Sequence, residues 1–492
     1  MHLKATGRAV GTWVAALGLA GSGGALAAAE LDSSALRAVQ EQVRAVGGES
    51  RVEPDLLEIK FHENQLIRLR NGVPTDLAGK GLLHSQAREV LRQVGGGTWM
   101  RSHEVAEEAL EALRSEGERS LAEVLPDLNL YFRLRLPPGL EADRIAAALG
   151  QLPEVEAVYR VPVPAPTPLA PNYYAVSTSS YQKYQDAAPA GVDGRYAGTL
   201  SGARGTNVKI CDVEYSFNGS HVDLGTVTRV GSAPVDPFNN TNHGTAVLGV
   251  YGGTANTEGV TGIAYAAQKL FAAANTSAGY NVASAITTCA ANISAGDVII
   301  IEQQMSGPTG DYVPVEWYKP TYDAIRSVVA ANKVVVEAAG NGGQNLDSTT
   351  YTTGNNGHYP FLSQNDSGAI IVGAGKSPAY GTAARSAHDF SCYGTTVDVQ
   401  GWGDGVVTTG YGTLYSVEGV NRYFASGFSG TSSASPIVAG SVASLQGRNK
   451  VLRGTYLTPA TVKSRLRAYG TAQTGTKNIG PLPDLRRALN SL

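Results

Sequence analysis

Four short segments carry side chains that could take part in hydrolysis, and each lies where a secondary structure element begins or ends. Asp212 closes the apolar run VKICDV, and His243 with Gly244 begins a small-residue stretch. Asn341 follows the apolar run KVVVEAAG, and Ser432 precedes a helix-length run of small apolar residues. A serine hydroxyl needs a base to become a nucleophile, and a helix N-terminus can hold a developing anion. Whether Ser432 is a nucleophile therefore depends on the other three segments.

Each of these residues also has an ordinary structural use. An aspartate at a strand end often forms a turn or caps a helix, and a histidine at a helix start is more often structural than catalytic. A side-chain oxygen before an apolar run accepts a first-turn N–H, so a cap by Thr431 or Ser435 explains one hydroxyl of the cluster. Taken singly, these uses predict nothing about the order of the four segments.

The elements that position these residues are predicted by short, non-alternating apolar runs. Such runs indicate strands that are buried on both faces of a parallel sheet, and helix-like stretches at 282–290 and 320–332 lie between them. The fold class is therefore α/β, with a doubly wound, mostly parallel sheet. Ligands of such sheets bind at the carboxyl ends of the strands. The runs are 208–213, 259–266, 269–274, 297–302, 333–340 and 369–375.

Together the four segments resemble those of the subtilisin-like serine proteases, or subtilases. The resemblance rests on an aspartate after an apolar strand, H-G-T at 243–245, A-A-G-N at 338–341 and G-T-S-x-A-x-P at 430–436. The order Asp, His, Ser fits that family and differs from the orders in chymotrypsin and in the α/β-hydrolases. The resemblance spans 172–492.

The resemblance implies a role for each residue. Ser432 attacks the scissile carbonyl of a protein or peptide substrate, and His243 takes its proton and returns it to the leaving amine. Asp212 holds the imidazole. The side chain of Asn341 and the backbone N–H of Ser432 stabilise the oxyanion. No cofactor is required for this chemistry, and structural calcium, with Asp223 or Asp297 as candidate ligands, stays unassigned.

The strand DVIII is followed in subtilases by Ser-Leu-Gly, an edge that pairs with the substrate backbone, whereas this chain has EQQM. Bulkier polar side chains in this place put the usual preference for a large apolar P1 residue in doubt. The residues that the resemblance assigns to the peptide groove are Gln303, Gln304, Met305, Ala338, Ala339 and Gly340.

Further acidic residues surround these segments. Glu302 and Glu337 are expected to flank the primary pocket, where they either share one proton or separately accept backbone N–H groups. Asp347 either favours a basic P1 side chain or caps a turn. Glu214 is expected on the same side of its strand as Asp212, either supporting the site or facing solvent.

Residues 1–29 have the pattern of a secretory signal peptide, because Lys4 and Arg8 precede an apolar stretch that ends in small residues. No second run of about 20 apolar residues follows, so a membrane span is not expected. The net charge of −3 gives no basic surface for nucleic acid or anionic lipid. A secreted, extracellular or periplasmic monomer is expected.

Residues 30–167 have helical spacing at 104–114 and then a strand, a helix and a second strand at 128–161. The resemblance identifies this region as a propeptide whose ferredoxin-like domain inhibits the enzyme, joined by the proline-rich 161–171 to a catalytic domain at 168–492. Cleavage is expected near 165–172. A permanent N-terminal domain is the alternative.

Three cysteines leave room for one disulfide bridge in an oxidising compartment. Cys211 lies inside an apolar strand and is expected to be the free thiol, and the sequence does not show which cysteines pair.

Two other classes of function compete with proteolysis. An α/β-hydrolase esterase needs G-x-S-x-G at a strand-to-helix turn, but the segment 427–431 lacks the final glycine. A catalytically inactive subtilase fold that binds peptides is the non-enzymatic alternative, and the intact residues at all four catalytic positions argue against it.

Overall fold

The protein was analysed as a computed structural model. It describes residues 52–63, 65–77, 97–164, 181–256, 259–353, 355, 357–417 and 419–492. The expected signal peptide at 1–29 and the expected cleavage region at 165–172 lie outside the described residues.

The described residues between 52 and 162 form a small α+β unit. Its main sheet is antiparallel, with strand order β4-β5-β1-β6. The expected strand, helix and strand are confirmed as β5, α2 and β6, and the helical spacing at 104–114 belongs to α1. The elements are β1 Val52–Phe61, β2 Ile67–Arg70, β3 Val73–Asp76, β4 Thr98–Arg101, α1 Glu107–Leu121, β5 Tyr131–Arg135, α2 Ala142–Leu149 and β6 Val155–Pro162.

The second unit is built on a seven-stranded sheet in the order β17-β16-β15-β12-β7-β9-β8, in which all neighbouring strands are parallel. The predicted α/β class is confirmed. The strands are β7 Lys209–Glu214, β8 Val227–Val230, β9 Gln268–Ala273, β10 Asn275–Thr276, β11 Gly279–Tyr280, β12 Val298–Ile301, β13 Gln304–Ser306, β14 Tyr312–Pro314, β15 Val334–Ala338, β16 Ile370–Gly375, β17 Val399–Trp402, β18 Val406–Thr409 and β19 Phe424–Phe428.

Helices cover both faces of this sheet, which explains why its strands are continuously apolar. Helices α4 and α8 pack on the face that carries Ile210 and Ile300, and α5 and α6 on the face that carries Val213 and Ile301. No helix in the described residues combines the length and apolar character needed to cross a bilayer. The helices are α3 Gly194–Ala197, α4 Asn242–Gly252, α5 Val282–Asn292, α6 Lys319–Ala330, α7 Thr349–Thr352, α8 Thr431–Arg453, α9 Pro459–Tyr469 and α10 Leu485–Asn490.

One predicted strand is wrong. The run 259–266 forms turns instead of a strand. Gly259 has a φ of 66°, which is outside the strand region. A Cβ on Gly262 would lie 2.5 Å from the backbone nitrogen of Gly252, so this segment passes close to the end of α4.

The cysteine prediction is also wrong. Cys211 is bonded to Cys289, and the free thiol is the buried Cys392. Cys211 points to the sheet face on which α5 packs, and α5 carries Cys289. Burial in an apolar strand therefore did not isolate Cys211, because its partner is part of the same packed layer.

The small unit rests on α5 and α6 of the larger one. His103 Nδ1 lies 2.9 Å from Thr287 Oγ1 on α5. On α6, the carboxylate of Asp323 accepts a hydrogen bond from the Tyr131 hydroxyl. All four side chains are buried, so the two units are in close contact at these points.

Candidate active site

Ser432 is the second residue of α8 and is buried at the helix N-terminus, where the helix dipole is positive. The N-cap is Gly430, which has a φ of 96° and supplies no side-chain cap. The expected cap by Thr431 or Ser435 is therefore wrong. The Thr431 hydroxyl instead contacts Asn341 Oδ1 at 3.1 Å.

His243 lies on the first turn of α4 and is 1% exposed. Its Nδ1 is hydrogen-bonded to an Oε2 oxygen of Glu214. Its Nε2 is buried and has no hydrogen-bond partner among the described residues. The ring packs edge-on against Phe428, four residues before Ser432, with centroids 5.6 Å apart. The imidazole is thus anchored on one nitrogen and available on the other.

Glu214 is the last residue of β7 and is 1% exposed. Its Oε1 accepts hydrogen bonds from the Tyr215 backbone N–H at 2.6 Å and from Gln303 Nε2 at 3.3 Å, while its Oε2 contacts His243. Both carboxylate oxygens therefore have partners, which fix the direction of the side chain.

The prediction that Asp212 holds the imidazole is wrong, because His243 contacts Glu214 instead. Asp212 lies two residues earlier on the same face of β7, and both of its carboxylate oxygens are buried without a hydrogen-bond partner in the described part of the chain. Burial, together with the nearby charge of Glu214, raises the pKa of Asp212 well above its usual range. Burial of the Asp212 carboxyl group therefore favours its neutral form.

Gly244 permits the contact between His243 and Glu214. A Cβ at this position would lie 2.3 Å from the Ser216 carbonyl oxygen and 2.7 Å from Cγ of Glu214. Any larger residue would therefore push the first turn of α4 away from the end of β7. This close approach explains why the H-G-T segment has a glycine at its second position.

Asn341 follows β15 and joins two parts of the site. Its Oδ1 accepts a hydrogen bond from the Thr431 backbone N–H at 2.9 Å, at the start of α8. Its own backbone N–H donates to Gln304 Oε1 at 2.8 Å. The structure therefore brings the Asn341 side chain to the residue that precedes Ser432, as the sequence predicts for an oxyanion donor.

The side chains of Gln303 and Gln304 do not line an open groove. Gln303 is buried and donates to Glu214, and Gln304 is buried against the Asn341 backbone. Each amide therefore supports a neighbouring polar group, and a contact of these two residues with substrate stays a prediction. Met305 lines a crevice between the two units, together with Tyr280.

The segment before Asn341 is closely packed. Ala338 and Ala339 have buried side chains, and a Cβ on Gly340 would lie 2.9 Å from the backbone carbonyl carbon of Val313 on β14. These side chains belong to the core, and a contribution of their backbone to substrate binding stays a prediction.

Glu302 and Glu337 do not form the expected pair. Glu337 lies opposite Ile301 in the parallel register, so it points to the opposite face of the sheet from Glu302. Burial and the charge of Glu316 raise the pKa of Glu337 well above its usual range, while burial raises the pKa of Glu316 to about 8. The carboxylate that Glu337 interacts with is therefore Glu316.

The remaining acidic candidates have local partners. Asp347 accepts hydrogen bonds from the backbone N–H and the hydroxyl of Thr395, an arrangement that favours the turn over a P1 site. Asp223 accepts the Val260 N–H at 2.6 Å, and Asp297 accepts the Lys209 N–H at 2.8 Å. In the described residues no group of three or more histidine, cysteine or acidic side chains could hold a metal ion.

Comparison with known proteins identifies the family. The model of the subtilase family matches residues 205–479, which is more than half of the chain. Subtilisin NAT of Bacillus subtilis subsp. natto is 26% identical over 296 residues, covering 59% of this chain and 68% of that protein. Subtilisin DY of Bacillus licheniformis is 28% identical over 272 residues, covering 55% and 86%.

A solved structure agrees with the fold. Fervidolysin from Fervidobacterium pennivorans, a keratinolytic enzyme related to subtilisin, aligns with a TM-score of 0.55 at 15% identity. The alignment covers 90% of this chain and 62% of fervidolysin, so this chain spans less than two thirds of that protein. The chain belongs to the subtilase family, a family of serine endopeptidases.

Proposed function

We propose that this chain hydrolyses peptide bonds in protein substrates with Ser432 as nucleophile, His243 as base and Glu214 as the acid that orients His243. The hydrogen bond between His243 Nδ1 and Glu214 carries the proposal. A carboxylate at Nδ1 keeps the proton on that nitrogen, so that Nε2 is the basic atom. It also stabilises the imidazolium that forms during the reaction.

The reaction then runs in two halves. A bond forms between Ser432 Oγ and the carbonyl carbon, and the hydroxyl proton moves to His243 Nε2. His243 returns this proton to the amine nitrogen as the C–N bond breaks, which leaves an acyl ester on Ser432. Water repeats the sequence and releases the acid product and the free serine.

The developing oxyanion needs donors, and the start of α8 supplies them. The Asn341 side-chain amide and the Ser432 backbone N–H are the proposed donors, supported by the positive end of the helix dipole. The bond from the Thr431 N–H to Asn341 Oδ1 fixes the amide orientation and turns its NH₂ group away from the helix backbone. Loss of one such donor costs about 3–4 kcal/mol of barrier.

A serine-reactive phosphonate probe tests this proposal. The wild-type protein should be labelled on Ser432, and Ser432→Ala should not be labelled. Ser433→Ala, which changes the next hydroxyl on the same turn, is the matched control and should still be labelled. An unlabelled wild-type protein that still binds peptides would favour the inactive alternative.

We also propose that residues 30–167 are an inhibitory propeptide of an exported zymogen. The contacts of the small unit with α5 and α6 support this proposal. The hydroxyl of the half-buried Tyr318 donates to Glu58 at 2.8 Å, and Arg133 donates to the Tyr280 carbonyl at 2.7 Å. Strand β6 ends at Pro162, beside the crevice that Tyr280 and Met305 line.

The direction of β6 suggests how maturation proceeds. Strand β6 ends beside this crevice, and we propose that Ser432 makes the cleavage near 165–172 that follows it. N-terminal sequencing of the secreted protein tests this. Wild-type enzyme should begin near residue 172, whereas Ser432→Ala should keep the small unit. Processing of Ser432→Ala in pure form would contradict self-cleavage.

A further inference from the structure

Glu302 lies at the carboxyl end of β12, directly beside the proposed active site. Its backbone N–H donates to the Val213 carbonyl at 3.2 Å, so the parallel register continues one residue beyond the strand. This places Glu302 beside Glu214, and the alternation of side chains points both to the face that α4 and α8 cover. The Glu302 side chain is 4% exposed.

The contacts of Glu302 are made with the first turns of α8. Its Oε1 lies 2.5 Å from Ser435 Oγ, which also contacts the Thr431 carbonyl at 2.8 Å. Ser432 lies three residues before Ser435 on α8, so the two side chains are neighbours on the helix surface. A serine hydroxyl has a single proton, so both Ser435 contacts are hydrogen bonds at the same time only if Glu302 is protonated and donates.

The charged and titratable groups around Glu302 favour the same state. Strand β7 presents Asp212 and Glu214, and α4 presents Tyr251 and His243, of which His243 is held by Glu214. Helix α8 presents hydroxyl groups. Within the described residues Glu302 forms no ion pair, and its Oε2 is buried without a hydrogen-bond partner. Burial, followed by the charge of Asp212, raises the pKa of Glu302 well above its usual range.

We propose that Glu302 is a positioning residue: as a neutral carboxylic acid it holds the Ser432–Ser435 turn, and loss of its proton inactivates the enzyme at high pH. The inference rests on the proposed role of Ser432. An ionised Glu302 accepts the Ser432 proton in a hydrogen bond and so competes with His243 Nε2. It also places a negative charge beside the developing oxyanion, where charge repulsion raises the barrier.

Glu302→Gln tests the inference, because glutamine has the shape of the neutral acid and does not titrate. At low pH its kcat/KM should stay within about threefold of wild type, since the neutral form is preserved. One pH unit above the alkaline midpoint, wild type retains about a tenth of its maximum, whereas Glu302→Gln should retain nearly all of it. Glu337→Gln, on the opposite face of the sheet, is the matched control. Its kcat/KM should fall at high pH in the same way as that of wild type.

An alkaline limb that is the same in Glu302→Gln and wild type would overturn the inference, and so would a large loss of kcat at every pH. If Glu302→Gln does not fold, the rate at which wild-type Ser432 reacts with the phosphonate probe replaces it. This rate should rise with pH and then fall, and a flat alkaline plateau would overturn the inference. Absence of labelling at every pH would instead refute the proposed function.

Discussion

The imidazole of His243 is bonded through Nδ1 to Glu214, the last residue of β7, and not to Asp212, which lies two residues earlier on the same strand. Successive side chains on one face of a strand are about 6.5–7 Å apart. The longer glutamate side chain at the strand end reaches the first turn of α4, while the aspartate carboxyl stays beneath the helix. The carboxylate that contacts the His243 imidazole is therefore that of a glutamate.

The contact at Gly244 predicts a sensitive position. Gly244→Ala places a methyl group 2.3 Å from the Ser216 carbonyl oxygen, so the turn that carries His243 must move away from Glu214. A displacement of about 1 Å in catalytic geometry lowers the rate by about 100-fold. We expect a loss of that size in kcat, measured with a peptide substrate.

Gly219→Ala is the control for this variant, because its Cβ would meet only Phe217 ring atoms at ordinary distance, 3.5 Å. It should retain wild-type kcat. Full activity of Gly244→Ala would show that the close approach of α4 to β7 is not required.

The buried pair of Glu337 and Glu316 predicts that stability falls as pH rises. The folded chain keeps protons that the unfolded chain loses, because the folded pKa values lie above the unfolded value of about 4.3. The contribution of these two acids to stability is therefore greatest below about pH 4.3 and decreases through the Glu316 pKa of about 8. The slope is up to about 1.4 kcal/mol per pH unit for each proton.

Urea unfolding of Ser432→Ala, which avoids self-digestion, measures this dependence between pH 5 and pH 8. Adding Glu337→Gln should flatten it, whereas adding Asp347→Asn, at an exposed turn, should leave it unchanged. A midpoint that rises with pH over this interval would contradict the assignment of neutral buried acids.

His103 predicts that the small unit is held less tightly in acid. Burial, followed by the charges of Arg101 and Arg133, lowers the pKa of His103 to about 3. A depressed histidine pKa favours the docked state fully above the free value of about 6.5, and this contribution is lost as pH falls from 6.5 towards 3. Docking should therefore weaken across that window.

Limited proteolysis of Ser432→Ala tests this pH dependence. Pepsin is used at acidic pH and trypsin at neutral pH, and cleavage of the small unit is measured. His103→Gln, which cannot be protonated, should make its release less pH-dependent. His62→Gln, at an exposed position of the same unit, should behave as the parent. Equal pH dependence of all three proteins would exclude His103 as the cause.

Much of this architecture follows from the sequence because its causes are local. The apolar runs at 208–213 and 297–302 predict buried parallel strands, and the strands lie there. The segments around His243, Asn341 and Ser432 predict element ends, which the structure also has. The prediction of a strand at 259–266 failed because the glycines of this run lie where the backbone makes close contacts, and they do not belong to a strand.

The wrong predictions about the site concern acidic residues whose neighbours depend on the register between strands. The sequence does not show that Glu337 lies opposite Ile301 and not opposite Glu302. This difference of one residue in register places the two acids on opposite faces of the sheet. Asp212 and Glu214 share a face and are both buried, so apolar patterning cannot decide which of them reaches the histidine. The sequence feature that could have indicated Glu214 as the partner of His243 is its position at the end of the strand.

Activity of the neutral isosteres of these two acids tests the central claim most directly. Glu214→Gln removes the charge that fixes the His243 tautomer, and its kcat/KM should fall about 10⁴-fold, as for loss of the triad acid in other serine proteases. Asp212→Asn replaces a carboxyl group that does not contact His243 and whose neutral form burial favours, so its kcat/KM at neutral pH should stay within about tenfold of wild type. The reverse pattern, with Asp212→Asn inactive and Glu214→Gln active, would contradict the account.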